Sequence, residues 1–383
     1  MAQFKFNTIS KTDIENSEGG KQMIHPIDYD GPHHLLITGC PGSGKTTVSI
    51  MRAERLNMAK KQIIVITFQN LLKVSLINTA SKELASKLFT FYRWYSSKFG
   101  YLNPHDDETM MIERMINWSG VDEIIIDEGQ DFESRIYRAL IQKCKKLTVG
   151  ADNAQRVHEN GLTANQIHSE LKKHGNVQEV PLQYNYRNTF EIYNFARYFM
   201  PDHERANNQL AIDRIRKGND SKSLPTIFLV SDSTSCLAQL QILLSDAGDR
   251  NIAVLLYHTK EVDFYYDRIN ELGIKCSKSY NNSHVGLEIE NVLVTTFKSA
   301  KGLEFQVVIM PNMETAMDQH FQTREHYYIA CTRAKENLFL IVQGDRLPHY
   351  FSAFDINSYR LIKPAAAPKK VVVAPESIDD LPF

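Results

Sequence analysis

The chain reads as an α/β protein of two domains, each a mainly parallel sheet flanked by helices. Three observations carry that reading. A short apolar run, Leu35–Thr38, feeds into Gly39-Cys40-Pro41-Gly42-Ser43-Gly44-Lys45-Thr46 and then a helical stretch; buried strand, glycine-rich turn and helix follow in the order of a phosphate loop. Behind it, strand-like and helix-like stretches alternate, the pattern of a parallel sheet covered on both faces. The second half repeats the alternation without a phosphate loop: strands at Thr226–Val230, Ile252–Tyr257, Val292–Thr295, Gln306–Met310 and Leu338–Val342, with helices at 234–247, 259–272 and 321–334. A length of 383 residues allows two separate cores.

Taken in order, residues 1–33 are polar and read as an irregular extension, with Gly19-Gly20 and Pro26 as breakers. Gln22 fits either a reader of an adenine edge or a surface glutamine. In the phosphate loop, Gly39, Gly42 and Gly44 let the backbone turn so that its N–H groups face phosphate oxygens. Ser43, Lys45, Thr46 and Thr47 complete the cradle. Lys45 adds a point charge, the Thr46 hydroxyl suits Mg²⁺, and the helix start faces the anion with its positive end. Thr46–Lys60 reads as that helix and Ile63–Thr67 as a strand, with Phe68 at its C-terminal end, where open α/β sheets place ligands. Leu88–Phe91 is a second short strand, ending in Thr90-Phe91-Tyr92-Arg93-Trp94. For Phe68 and Trp94 the alternatives are base stacking and core packing.

The apolar strand Ile124–Ile126 ends in Asp127-Glu128, 82 residues after Lys45. In an NTP site such an Asp holds Mg²⁺ and the Glu deprotonates the attacking water. A strand at Lys146–Val149 leads to Gln155, placed to sense a γ-phosphate. Pro181–Asn188 is expected to open a helix running to about Met200. The expected division is an extension (1–33), a first domain with the phosphate loop and Mg²⁺ site (34–205), a crossing segment (206–223), a second domain (224–360) and a flexible acidic-tipped tail (361–383).

Composition is that of an ordinary globular protein, and the net charge of −1 excludes a global basic field for nucleic acid. Cys40, Cys144, Cys236, Cys276 and Cys331 form no C-x-x-C pair, which speaks against a zinc site or disulfide frame. With no signal peptide and no membrane-spanning run, the expectation is a cytoplasmic protein, bacterial or phage-encoded, with no membrane partner.

Eight blocks then line up in order: GCPGSGKTT (39–47), ITFQN (66–70), TFY (90–92), IIIDEGQDF (124–132), GADNAQ (150–155), LQYNYRN (182–188), VTTFKSAKGLEF (294–305) and YIACTRAKENL (328–338). Together they resemble the superfamily 1 helicases of the UvrD/Rep/PcrA type over roughly residues 34–345. The resemblance implies two RecA-like domains sandwiching ATP and Mg²⁺, and 3′→5′ movement along single-stranded DNA. It implies that Tyr186 stacks on adenine, Glu304 reaches the ribose, and Arg187 and Arg333 are arginine fingers. An Arg at the γ-phosphoryl also fits the charge that builds there in the transition state. For nucleic acid the candidates are Phe68, Thr90, Phe91, Tyr92 and Lys298, the last standing where the family has His. The family's stacking Tyr and Trp after the Gln155 block are His158 and Asn160 here. The inserts that engage duplex are almost absent, leaving a minimal motor core.

The expected function is an ATP-dependent single-stranded-DNA translocase or helicase. The alternative is a nucleic-acid-stimulated ATPase switch or helper subunit that remodels a partner without unwinding; RNA stays open as substrate. The last residues, ESIDDLPF (376–383), resemble the acidic tip of bacterial single-stranded-DNA-binding proteins. Phe383 would fill an apolar pocket on a partner, with Asp379 and Asp380 at its basic rim. A solvated tail, or one that occupies the motor's own groove, are the other readings.

Overall fold

The computed structural model describes residues 3–6, 9–152, 160–200, 224–280, 288–314 and 321–363. The predicted α/β architecture is present as two sheets. The first contains β1 (His34–Gly39), β2 (Ile63–Thr67), β3 (Leu88–Thr90), β4 (Val121–Ile126), β5 (Cys144–Ala151) and β6 (Val177–Leu182), in the order β3-β2-β4-β5-β1-β6. Every pairing in it is parallel. The second contains β7 (Thr226–Val230), β8 (Ile252–Leu256), β9 (Ser277–Ser279), β10 (Val292–Thr296), β11 (Phe305–Met310), β12 (Ala334–Gln343) and β13 (Arg360–Ile362). Its order is β13-β7-β12-β11-β8-β10-β9, again all parallel. Strands such as Ile63–Thr67 and Ile252–Leu256 are buried along their whole length, as strands covered on both faces must be.

The structure corrects four expectations. The expected helix start at Pro181 is a strand end: Pro181 lies in β6, paired with Thr38, and the helix begins only at Phe190. A proline is tolerated there because β6 is an edge strand. The helix Phe190–Ala196 and the turn after it then pack Ile192, Phe195 and Phe199 into the core of the second sheet, beside Ile227 and Leu340. The packing boundary therefore falls before Phe190, ahead of the expected crossing at 206–223, which lies outside the described residues. At the other end, Leu361 and Ile362, expected in the tail, belong with Arg360 to a strand beside β7.

The fourth correction is the N-terminal extension, which contains helices at Lys11–Glu15 and Gly20–Asp28. Ser10 and Asp13 form a reciprocal capping box that starts the first. Gly19 is the N-cap of the second, at φ 76 with the Tyr184 ring against it, so the glycine marks a helix start instead of a break. Met23 and Ile27 then pack with Leu35, Ile37 and Val48 beneath the phosphate-loop strand.

Arg52 ties this extension to the sheet. Its fully buried guanidinium binds Glu123 at 2.6 and 2.9 Å and donates to the carbonyls of Pro26 and Tyr29 at 2.8 and 2.9 Å. Thr148 donates to the same carboxylate at 2.5 Å. Arg52→Ala strands a buried carboxylate, so it is expected to cost about 3–5 kcal/mol in denaturant unfolding. A loss below about 1 kcal/mol, the scale of an exposed pair, would show that the network carries little. Among the described residues no helix is long and apolar enough to cross a membrane.

Candidate nucleotide site and nucleic-acid interface

The functional blocks converge because strands of the first sheet deliver them at one edge. β1 leads into the phosphate loop, β2 into Phe68, β4 into Asp127-Glu128, β5 into Asp152 and β6 into Asn185–Arg187. The loop's glycines are required by space. Gly42 sits at φ +75, where a Cβ would lie 2.5 Å from Asn185 Oδ1 and 2.6 Å from Arg187 Cβ. Gly44, at φ +92, caps the helix Lys45–Met58, and a Cβ there would meet Met23 Cε at 2.5 Å. Tyr186 donates its N–H to Gly42 O at 2.9 Å, sealing the β6 segment onto the loop.

Lys45 is folded into the loop, its Nζ donating to Gly39 O at 2.7 Å and Cys40 O at 3.0 Å and lying 3.3 Å from Asp152 Oδ2. Among the described residues the buried Ser43 hydroxyl has no hydrogen-bond partner. Thr46 donates its hydroxyl to Asp127 Oδ2 at 2.8 Å. That pair of hard oxygen donors beside the phosphate loop fits Mg²⁺, whose other ligands would be phosphate oxygens and water.

The two adjacent acids are pushed apart electrostatically. Burial, then the neighbouring charge of Glu128, raises Asp127 to about 7. Burial also presses Glu128 upward, but the ammonium groups of Lys301 and Lys45 and the Arg333 guanidinium outweigh it and hold Glu128 at about 2. Glu128 occupies the left-handed backbone region at φ 58, uncommon for a residue with a Cβ. The turn is held behind it: Tyr137 donates its hydroxyl to Gly129 O at 2.6 Å, and Asp152 N donates to Gln130 Oε1 at 3.1 Å.

Residues of both domains line one cavity of about 340 Å³. Gly42, Lys45, Thr46, Thr47, Glu128, Tyr186 and Arg187 meet Glu304 and Arg333 there, together with Phe4, Lys5 and Phe6 of the extension. Arg187 Nε lies 3.1 Å from Glu304 Oε2, while Lys335 Nζ holds the other oxygen at 3.0 Å. Arg333 is fully buried; it donates to Ile329 O at 3.0 Å and Leu303 O at 3.4 Å. Asn188 anchors its chain segment by donating to Thr332 O at 3.0 Å and Ala334 O at 2.6 Å. Tyr186 donates its hydroxyl to Glu18 O at 2.7 Å, and its ring stacks near that of Tyr184. Gln22 is engaged by Gln183, accepting from its N–H at 3.1 Å, and is not among the cavity's lining residues. Gln155 and the tail residues Asp379, Asp380 and Phe383 lie outside the described residues.

For the nucleic-acid candidates, the structure separates two from their neighbours. The strand expected to reach Phe91 stops at Thr90, and Phe91 opens the helix Phe91–Phe99. Helical spacing then turns Phe91, Trp94 and Tyr95 to one face, where all three are buried. Thr90 is buried as well. Neither Thr90 nor Phe91 is available to a base, and Trp94 is core. Phe68 is half-buried and Tyr92 is 38% exposed, their rings 5.6 Å apart edge to face. Lys298 is exposed on the segment that leaves β10.

Sequence reasoning missed Lys301, Asp131 and Asp152, all buried at the cleft. All three stood inside the eight blocks, but a block carries no sign of which of its charges meet in the folded chain.

Fold and cleft define a P-loop ATPase of two RecA-like domains. Residues 30–189 match the family model of an AAA domain, and residues 291–341 match that of the UvrD-like helicase C-terminal domain. No curated protein matches the chain. Saccharomyces cerevisiae Dbp5 bound to RNA and ADP BeF3 is a structural neighbour at a TM-score of 0.52, 12% identical over 90% of this chain and 88% of its own. A single-substitution variant of Dbp5 in the same complex scores 0.53 at the same identity and coverage. Likeness at that identity is one of fold. The C-terminal domain of a possible DNA helicase from Lactobacillus plantarum WCFS1 is 21% identical over 46% of this chain and 98% of its own, with a TM-score of 0.35. The two family matches, an AAA domain followed by a UvrD-like helicase C-terminal domain, support an ATP-hydrolysing helicase.

Proposed function

We propose that this chain is a motor that hydrolyses ATP to move 3′→5′ along single-stranded DNA. The observation that carries the reading is the shared cavity, in which Arg187, Glu304 and Arg333 face the phosphate loop and Glu128. Glu128 deprotonates the attacking water, Lys45 and the loop N–H groups hold the phosphates, and Arg187 and Arg333 meet the charge that develops on the γ-phosphoryl. Thr46 and Asp127 hold Mg²⁺, which when bound neutralises β- and γ-phosphate charge. Tyr186 carries the base and Glu304 the ribose. Because both domains line the cleft, occupancy and hydrolysis change how they sit together, and that movement is what a strand-bound motor uses.

Phe68, Tyr92 and Lys298 form the strand contact. ATP turnover with and without single-stranded DNA or RNA oligonucleotides tests the reading. DNA stimulates a translocase, RNA stimulation alone reassigns the substrate, and stimulation without forked-duplex unwinding favours a remodelling switch. In the same assay Phe68→Ala is expected to weaken strand binding by about 1–3 kcal/mol, one base–aromatic stack, without changing basal turnover. Thermal unfolding run alongside would reassign Phe68 to the core if stability fell instead.

The ESIDDLPF end is proposed to dock the motor onto proteins that read acidic, phenylalanine-tipped tails. Deleting Phe383 is expected to abolish capture by such a partner and leave DNA-stimulated turnover unchanged. Equal titration curves for truncated and full-length protein would overturn it.

A further inference from the structure

A buried cluster joins the domains behind the cleft. Lys301 comes from the second domain, on the segment between β10 and β11, and its side chain is fully buried. Its Nζ lies 2.7 Å from Asp131 Oδ2 and 3.5 Å from Glu128 Oε2, both on the turn that follows β4 of the first domain. Gln130 donates to the same Glu128 oxygen, Oε2, at 2.6 Å. The segment is pressed home by its neighbour: Gly302, at φ +83, leaves no room for a Cβ, which would lie 2.7 Å from Leu72 Cδ1 of the first domain. Glu128 lines the nucleotide cavity and Lys301 does not, so Lys301 touches the cavity's lining through Glu128.

We propose that Lys301 is a positioning residue for the catalytic carboxylate. It holds Glu128 by Oε2, with Gln130 on the same oxygen, and so turns the other oxygen to the attacking water. Asp131 anchors the ammonium so that it stays aimed. Because Lys301 belongs to the second domain, Glu128 is oriented only while that domain is seated against the first. Hydrolysis is thereby conditional on closure by a contact separate from the arginines at the γ-phosphoryl. This rests on the ATPase reading above.

A structural role would predict something different. Removing Lys301 leaves two acids buried without their counter-charge, and lost activity would then follow lost folding. The discriminating protein is the double variant Lys301→Met/Asp131→Asn, which removes one charge of each sign and keeps the site near its original volume. Wild type, Lys301→Met and the double variant are compared for ATP kcat, ATP KM and thermal unfolding. The expected result is that the double variant unfolds close to wild type and keeps its KM within about threefold. Its kcat remains lower by roughly tenfold to a hundredfold, part of what a positioned general base contributes. Recovery of kcat together with stability in the double variant overturns the proposal, as does a Lys301→Met enzyme within twofold of wild-type kcat. A wild-type protein with no turnover overturns the ATPase reading itself, and this inference with it.

Discussion

Glu128→Gln is expected to bind ATP at close to wild-type affinity and to hydrolyse none at a measurable rate. The exchange keeps the side chain's shape, and Asp127 still holds the Thr46 hydroxyl at 2.8 Å. What disappears is the basic oxygen. Removing a general base costs roughly 10²–10⁴-fold, and here the amide also withdraws one negative partner of Lys301, leaving Asp131. Lys45→Ala is expected to be equally dead for a different reason. Lys45 supplies the charge inside the phosphate loop, so its loss weakens nucleotide binding as well as turnover. The buried Asp152 would also lose the ammonium 3.3 Å away, so this variant is destabilised as well. Nucleotide titration of the two variants separates the roles. Equal loss of affinity in both would contradict the assignment of Glu128 as the base.

Arg333→Ala is expected to lower kcat by roughly 10²–10⁴-fold, the scale of one lost transition-state charge contact. Its burial complicates the experiment. The guanidinium donates to the carbonyl of Leu303 and shares that of Ile329 with the Thr332 hydroxyl, so truncation removes a donor from each within a packed interior. Arg333→Lys keeps the charge but not the planar fork, so it is the cleaner comparison. Arg187→Ala carries no such burden, because Arg187 is held by Glu304 at the edge of the cavity, and a similar fall in kcat is expected. Strand binding without nucleotide should be nearly intact in all three. A variant that hydrolyses ATP at close to the wild-type rate shows that its arginine is not a finger.

The phosphate loop was legible because its chemistry is local. Glycine at φ +75 and +92, an amine and a hydroxyl must follow one another within a single turn to hold a phosphate, and no distant residue can substitute. The long parallel strands were legible for a related reason: burial on both faces demands unbroken apolar runs such as Ile63–Thr67. The N-terminal helices were not legible, because Gly19 and Pro26 carry opposite meanings inside and at the ends of helices, and only packing against the phosphate-loop helix decides between them. Phe91 shows the same limit. An aromatic at a strand end faces a ligand if the strand continues by one residue and faces the core if a helix begins there.

By itself the sequence determined the class of fold, the phosphate loop and the identity of the acids beside it, because each is written in a short run of residues: an unbroken apolar strand, a glycine-rich turn, an acidic pair at a strand end. The tertiary structure alone decided which charges meet across the cleft. Arg187 against Glu304, and Lys301 between Asp131 and Glu128, join residues more than a hundred positions apart. Their pairing follows from how two sheets pack, and that is set by the summed burial of both cores, which no short stretch of sequence records.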